Sequence, residues 1–421
     1  MKIGAQWKKQ IEVRQSIMSD FNTIDKCLCC DGDNIKLLLD LNEQPLANSY
    51  HDNTEKLEKY PLGVNLCQDC YHIQLTDAVN PDLLFKDYLY VSGTTQTLKD
   101  NFKWFADYVI ENSPVCNHVL DIACNDGTQL DYFKDRGVET YGIDPAENLW
   151  ELNSKNHNVK CEYFDSVFFG FRFDVITAQN VFAHSGNPKK FLDDCFELMN
   201  DNSTLYIQTS QAEMILNNQF DTIYHEHVSF FNINSFNELV KRTNLHLVDV
   251  IKTPVHGISY LFVLSKTSYN QQKIKNEIEV ERQRGLLSQK TYDNYKLKVL
   301  DIVDYFKLLV EQSRDEGYKI VGYGAAAKGM TFLNFADVKL DVIIDDNSLK
   351  QELYTPGTNV FIKSIECLKS YNENDKILFI PLAWNFYDEI RERIKIVRDN
   401  EKDLFLKYFP KVKFEGIDYG K

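Results

Sequence analysis

Between residues 117 and 265 short apolar stretches alternate with helical ones, and this alternation limits what the chain can become. His118–Ile122, Thr140–Ile143, Phe173–Ala178 and Thr204–Gln208 have the length and apolarity of buried strands, with helically spaced segments between them. Such a succession needs crossover connections, so the strands are expected to lie parallel in one covered sheet. A second run of the same kind begins at Lys319, with strands expected at Lys319–Tyr323, Leu340–Ile344 and Lys376–Ile380. The expected fold class is α/β, with two Rossmann-like sheets in one chain.

A chain of 421 residues needs more than one core. Residues 1–20 carry Lys2, Lys8, Lys9 and Arg14 without the apolar core of a secretory signal, and read as an amphipathic extension. Residues 21–79 form a cysteine- and turn-rich module with a strand near Ile35–Leu41. Residues 80–267 are the first α/β domain, opened by a helix with Phe102, Phe105, Tyr108 and Val109 at helical spacing. Residues 268–316 are a charged helical connector, and residues 317–421 the second α/β domain. A formal net charge of −15 argues against nucleic acid as partner, and no apolar run has the length of a membrane span. Ten cysteines, four of them in two close pairs, suit a reduced cytoplasm and a metal site better than a disulfide framework.

Those pairs, Cys27/Cys30 and Cys67/Cys70, are two C-x-x-C turns. Each turn can place two thiolates at adjacent corners of a tetrahedron, so together they are expected to enclose a structural Zn²⁺ with no open position. Four cysteines in a plain small core is the blander reading, but a module this small needs a staple. Cys29 either takes a neighbour's place or stands free, and His72 is a weaker substitute ligand.

In Val119–Leu130, VLDIACNDGTQL, a strand ends at Asp121 and a helix starts after Gly127. Ala123, Asn125 and Gly127 are small turn residues that let backbone approach a ligand, and a helix start favours an anionic group. Asp144-Pro145 follows the next strand, where an acid can accept both ribose hydroxyls of an adenosine. Asp165 follows the third apolar segment, where the adenine amine finds a carboxylate. Asp126, Gln179 and Asn180 complete the expected cofactor set. A generic strand–helix turn with capping acids explains each residue singly, but the joint spacing points to S-adenosylmethionine. The turn is not G-x-G-x-x-G, which disfavours NAD at this place.

Tyr224-His225-Glu226-His227 is the densest group of catalytic side chains, followed by apolar Val228-Ser229-Phe230-Phe231. His184 lies just past another strand. Carbon methylation needs a base and a group that stabilises an enolate, and this set can supply both. A metal pair or a satisfied core His–Glu hydrogen bond is the plainer alternative. Gly322-Tyr-Gly324-Ala-Ala-Ala327, with Asp345-Asp346 after the next strand, fits a dinucleotide fingerprint. It keeps two rivals open, an NAD-dependent nucleotide-sugar oxidoreductase and a non-catalytic sugar-nucleotide binding protein.

From about Cys27 to its end the chain resembles the sugar C-methyltransferases that act on nucleotide-linked 4-keto-6-deoxyhexoses in antibiotic and surface-polysaccharide pathways. The likeness is carried by the cysteine pairs, by NDG with NVFAH and YHEHVSFF, and by GYGAAAKGMTFLN with the later PGT and AWNF. It implies a zinc-binding module, a central cofactor domain and a C-terminal domain that helps hold the nucleotide sugar. It implies proton removal beside the ketone, usually at C3, and methylation with inversion. Under this resemblance His227 is the base, Tyr224, Glu226 and His184 bind or polarise the ketosugar, and His225 lines the site. Tyr88, Tyr90 and Ser92 contact substrate from the front, and Gly324, Lys328, Asn334, Asp345, Trp384 and Asn385 hold it from the C-terminal domain. The resemblance also implies a monomer. The family often has Glu-x-Gly before its NDG, where this chain has Asp121-Ile-Ala123.

Overall fold

The computed structural model describes residues 20–52, 57–88, 91–94, 96–209, 212–253 and 259–415. The N-terminal extension and the substrate candidate Tyr90 lie outside the described residues. Among the described residues no helix is long and apolar enough to cross a membrane.

The first part of the chain builds an antiparallel meander of Ile35–Gln44, Tyr60–Cys67 and Ile73–Leu75. Its fourth strand comes from far along the chain. Ser229–Phe230 pairs with the last strand of the meander, Ser229 opposite Gln74 and Phe230 opposite Ile73. The cysteine-rich module is thus hydrogen-bonded to the segment that follows the Tyr224–His227 group.

The central sheet has seven strands in the order His246–Thr253, Ser259–Ser265, Met199–Thr209, Phe173–Gln179, His118–Ile122, Glu139–Ile143, Asn158–Lys160. The four strands expected from strand–helix alternation run parallel, a fifth parallel strand, Asn158–Lys160, was not foreseen, and the last hairpin joins antiparallel at one edge. Strand order reverses between His118–Ile122 and Phe173–Gln179, so a crevice opens at their carboxyl ends. Phe105 and Val109 of the helix Gln96–Asn112 are buried with Leu130 and Phe133, as their spacing predicts, and Tyr108 is partly buried against them. Helices Gln271–Gln283 and Gln289–Asp315 follow.

The C-terminal sheet has the order Ile362–Lys363, Val342–Ile344, Tyr318–Tyr323, Lys376–Pro381, Leu404–Lys407, Lys413–Phe414, parallel except at its last strand. Its order reverses between Tyr318–Tyr323 and Lys376–Pro381, giving a second crevice. One apolar core runs from Leu39, Leu62 and Val64 of the meander through Val299 and Phe306 of the long helix to Phe332 and Ile380. Because this core is shared, the cysteine-rich module and the C-terminal domain are packed as one body.

Candidate active site and metal centre

The Sγ atoms of Cys27, Cys30, Cys67 and Cys70 all lie within 4.8 Å of one another. Cys27 and Cys70 are 3.5 Å apart, and Cys30 and Cys67 3.6 Å. Zn–S bonds of about 2.3 Å put the corners of a tetrahedron about 3.8 Å apart, so the thiols fit a zinc ion with little movement. Cys29 is fully buried and outside this set, and its carbonyl accepts Arg242 Nη1 at 2.8 Å. His72 is also outside it. Burial lowers its pKa to about 3, and its Nε2 meets Ser229 Oγ at 3.2 Å.

The NDG turn sits at the crevice of the central sheet. Ala123 N–H donates to Ile143 O at 2.7 Å, and Asn125 N–H to Asp144 Oδ2 at 2.9 Å. Ala123, Asn125 and Gly127 have φ of 59°, 52° and 83°. Left-handed backbone costs an alanine about 1–2 kcal/mol relative to right-handed conformations. Where the family has glycine, this chain therefore carries strain. Ala123→Gly is expected to stabilise the protein by about 1 kcal/mol, read by chemical denaturation, after allowing for the extra chain entropy of glycine. An unchanged or lower stability would show that Ala123 packing outweighs its backbone strain.

Asp144 is buried beside the turn, and burial raises its pKa. Its Oδ1 accepts Ala146 N–H at 2.9 Å, with Pro145 between them half-buried at the rim. Asp121 is buried at the end of its strand and accepts Thr177 Oγ1 at 2.6 Å. Burial pushes its pKa up to about 7, with the nearby Asp144 adding to the effect. The side chains of Asn125 and Asp126 have a different task from the one expected. Asn125 Oδ1 accepts Ser92 N–H at 2.9 Å, and Asp126 Oδ2 accepts Gly93 N–H at 2.8 Å. These two side chains fasten the Ser92–Thr94 segment over the turn. A Cβ at Gly93 would lie 2.3 Å from Thr128 Oγ1 and 2.6 Å from Asp126 Oδ2, so a larger residue there would have to displace these side chains. Asp165 caps Val167 N–H at 3.0 Å and pairs with Lys190 at 2.9 Å.

Across the crevice Asn180 also has positive φ, 57°. Gln179 donates to Gln129 Oε1 at 2.6 Å, leaving its own Oε1 buried and unpartnered. The amide of Gln208 and the hydroxyl of Thr209, at the end of the neighbouring strand, are also buried without partners. Unsatisfied polar atoms gathered at a sheet's carboxyl end fit a polar ligand, since each costs about 1–3 kcal/mol when left unmade. With Asp121 and Asp144 they make an acid-rimmed cleft that suits a cationic adenosine cofactor.

Tyr224, His227 and His184 meet in one stack. His227 Nδ1 lies 2.9 Å from Thr222 O, so it carries the proton, and Nε2 is left as the acceptor. Tyr224 hydroxyl donates to that nitrogen at 3.0 Å. His184 stacks on His227 with ring centres 5.4 Å apart, and Phe85 covers its other face at 5.2 Å. Burial lowers the His184 pKa to about 4, so its imidazole is neutral around pH 7. Glu226 is buried next to them, accepting Asn48 Nδ2 at 2.5 Å and Tyr88 hydroxyl at 3.0 Å. Burial raises its pKa, while those two bonds and Lys350 oppose the rise.

His225 does not line this site. Its ring is turned away against Tyr60, its Nε2 lies 3.3 Å from Tyr60 O, and burial lowers its pKa to about 4. Residues 224–227 form a turn closed by His227 N–H donating to Tyr224 O at 2.9 Å, which sends its side chains different ways, and the sequence could not show which of them the meander would cover.

The second turn copies the first. Gly324 N–H donates to Ile344 O at 2.7 Å, and Ala325 N–H to Asp345 Oδ2 at 2.6 Å. Asp345 thus braces the turn, as Asp144 does in the first sheet. Gly324 has φ of 91°, and a Cβ there would come within 3.0 Å of Ala383 across the crevice. Asn334 donates to Pro356 O at 3.2 Å and packs under Gly357, holding the PGT segment. Lys328 lies 6.0 Å over the Trp384 ring, and Trp384 Nε1 donates to Asp221 Oδ2 at 2.7 Å. Asn385 is exposed beyond Trp384.

Four contacts were not foreseen. Asn48 and Tyr50 come from the cysteine-rich module, Asp221 precedes the Tyr224–His227 group, and Lys350 follows the strand Val342–Ile344. Tyr50 hydroxyl and Lys350 Nζ both donate to Ala325 O, at 2.5 and 2.7 Å. No local motif marks them, because their importance comes only from three domains meeting.

Residues 27–85 match a family described as a zinc binding domain, residues 92–250 a methyltransferase domain, and residues 254–410 the C-methyltransferase C-terminal domain. The C-methyltransferase NovU of Streptomyces niveus is 25% identical over 406 residues, covering 90% of this chain and 93% of that protein. A ubiquinone biosynthesis O-methyltransferase of Coxiella burnetii is 23% identical over 169 residues, covering 35% of this chain and 72% of that protein. Among solved structures, magnesium protoporphyrin IX methyltransferase from Synechocystis PCC 6803 with bound SAM covers 40% of this chain and 79% of its own, at 11% identity and a TM-score of 0.32.

Proposed function

We propose that this chain is a C-methyltransferase that methylates a carbon of a nucleotide-linked 4-keto-6-deoxy sugar, a reading supported by its successive matches to a zinc binding domain, a methyltransferase domain and the C-methyltransferase C-terminal domain. The reaction is placed at C3, beside the ketone, in deoxysugar or surface-polysaccharide biosynthesis. The observation that carries the reading is the His227–Tyr224–His184 stack with Glu226 beside it.

S-adenosylmethionine, when bound, supplies an electrophilic methyl group. Its place is the acid-rimmed cleft, with Asp144 toward the ribose hydroxyls and the Ala123–Gly127 turn against the methionine end. His227 is the base. The Thr222 carbonyl fixes its Nδ1 proton and leaves Nε2 to take the C3 proton. Tyr224, which donates to Nε2 here, turns its hydroxyl to the ketone oxygen and steadies the enolate. Neutral His184 stabilises the same charge by hydrogen bonding without competing for the proton. Glu226 orients Tyr88 against the sugar. Removal of the proton and delivery of the methyl on opposite faces of the ring would invert C3. The nucleotide end is taken by the second crevice, with Lys328 toward the diphosphate and Trp384 at its wall.

The Gly322 turn had left a nicotinamide reading open, but it lies within the segment matching the C-methyltransferase C-terminal domain. Incubation with methyl-labelled S-adenosylmethionine and a panel of 4-ketosugar nucleotides, read by mass spectrometry, tests the substrate class. A labelled sugar nucleotide is expected. Label in none of the panel, or oxidation or reduction of a nicotinamide with the same sugars, overturns the proposal.

A further inference from the structure

Asp221 has no role in the function as set out above, yet it joins two parts of the molecule that lie far apart in the chain. Its side chain is fully buried. Oδ2 accepts Trp384 Nε1 at 2.7 Å, while Oδ1 is buried without a hydrogen-bond partner. A buried acid held by a single donor is costly, so its presence asks for a reason.

The neighbouring backbone supplies one. Asp221 and Thr222 are the two central residues of a turn closed by Ile223 N–H donating to Phe220 O at 2.9 Å. Thr222 O from this turn lies 2.9 Å from His227 Nδ1. The turn is gripped from outside the central sheet. The Phe220 ring centre is 5.4 Å from that of Phe332, 5.5 Å from Phe335 and 5.7 Å from Phe409, all in the C-terminal domain. Tyr295 of the long helix donates its hydroxyl to Gln219 O at 2.8 Å. Trp384 packs on Phe409 with ring centres 5.8 Å apart and carries Lys328 Nζ 6.0 Å over its ring. The apolar grip on Phe220 holds the turn in place, and the bond from Trp384 to Asp221 fixes its rotation.

We propose that Asp221 is a positioning residue for His227: tied by Trp384 to the C-terminal domain, it fixes the turn whose Thr222 carbonyl holds the His227 proton on Nδ1. The base is then aimed by the same tryptophan that walls the second crevice. Without this bond the turn is free to rotate and Thr222 O leaves Nδ1. The ring then takes up the Nε2–H form, which has no lone pair at Nε2 to accept a proton. For its effect on turnover the inference rests on the proposed C-methylation, whereas the His227 tautomer can be read without any substrate.

The full chain is used as wild type, Asp221→Ala, Asp221→Asn, which keeps an oxygen for Trp384, and Trp384→Phe, which keeps a ring and loses the donor. A double variant combines Asp221→Ala with Trp384→Phe. The His227 nitrogens are followed by ¹⁵N NMR of histidine-labelled protein, assigned by the signals that His227→Ala removes. In the wild type the neutral ring is expected in the Nδ1–H form. In Asp221→Ala and in Trp384→Phe it is expected to move toward the Nε2–H form, and in Asp221→Asn to stay with the wild type. The double variant is expected to shift no further than either single one, since both remove the same bond. With a ketosugar that is turned over, kcat in Asp221→Ala is expected to fall about 10- to 100-fold, the cost of a misplaced reacting group, with affinity for S-adenosylmethionine unchanged. An Nδ1–H form kept in Asp221→Ala, a shift in Asp221→Asn as large as in Asp221→Ala, or a further shift in the double variant overturns the inference. If Asp221→Ala does not fold, the tautomer in Trp384→Phe decides it. Absence of turnover with every ketosugar, with the tautomer shift intact, would count against the proposed substrate and leave the role of Asp221 supported.

Discussion

His227→Ala is expected to lower methyl transfer by roughly 10²- to 10⁴-fold, the usual contribution of a positioned general base, while leaving affinity for S-adenosylmethionine close to wild type. The separation follows from geometry. The His227 ring is anchored to Thr222 O and Tyr224 hydroxyl and stacked on His184. None of these contacts is made by Asp144, Asp121 or the Ala123–Gly127 turn. The variant should also lose a partial reaction that needs no methyl donor. In deuterated water the wild type is expected to exchange the sugar proton beside the ketone, seen by proton NMR, and His227→Ala is not. An equal loss of cofactor binding in the variant would show that His227 supports the fold and not the chemistry.

Removal of zinc is expected to unfold the N-terminal module and to stop catalysis with it, although the metal has no open position. A closed four-thiolate site contributes on the order of 10 kcal/mol to folding where it has been measured in small zinc modules. Here the loss would spread. The strand Ile73–Leu75, separated from Cys70 only by Tyr71 and His72, pairs with Ser229–Phe230, which directly follows His227 and Val228. His72 meets Ser229, His225 meets Tyr60 O, and Asn48 holds Glu226. Cys67→Ser, or a strong chelator on the wild type, should therefore lower the thermal midpoint and the methylation rate together, with one zinc per chain lost by elemental analysis. Unchanged thermal stability after complete metal removal would rule out a stapling role.

Much of the fold was legible because the two α/β sheets are built around central strands buried on both faces, and these read as apolar runs between helical spacings. His118–Ile122 was found with its boundaries, and Phe173–Gln179 within one residue. The pairing of Ser229–Phe230 with the cysteine-rich meander was not legible, since a two-residue strand carries no periodic signal and its partner is far away in sequence. The site shows the same division. Acids at strand ends and the Tyr224–His227 group are local patterns and could be seen. Whether His225 faces the cleft or the meander, and whether Asn125 and Asp126 face a ligand or the Ser92–Thr94 segment, depends on what another domain places there. Lys350 and Asn48 belong wholly to that second kind.

The most direct measurement of the central claim is the position of the new bond. The full chain would be incubated with S-adenosylmethionine carrying a ¹³C methyl group and a nucleotide-linked 4-keto-6-deoxy sugar, and the product read by two-dimensional NMR. The account predicts a methyl carbon bonded to the ring carbon beside the ketone, with the chemical shift of a C–CH₃ group and coupling to that carbon. A label with the shift of an O–CH₃ group, or a label bonded to a carbon not adjacent to the ketone, would contradict it.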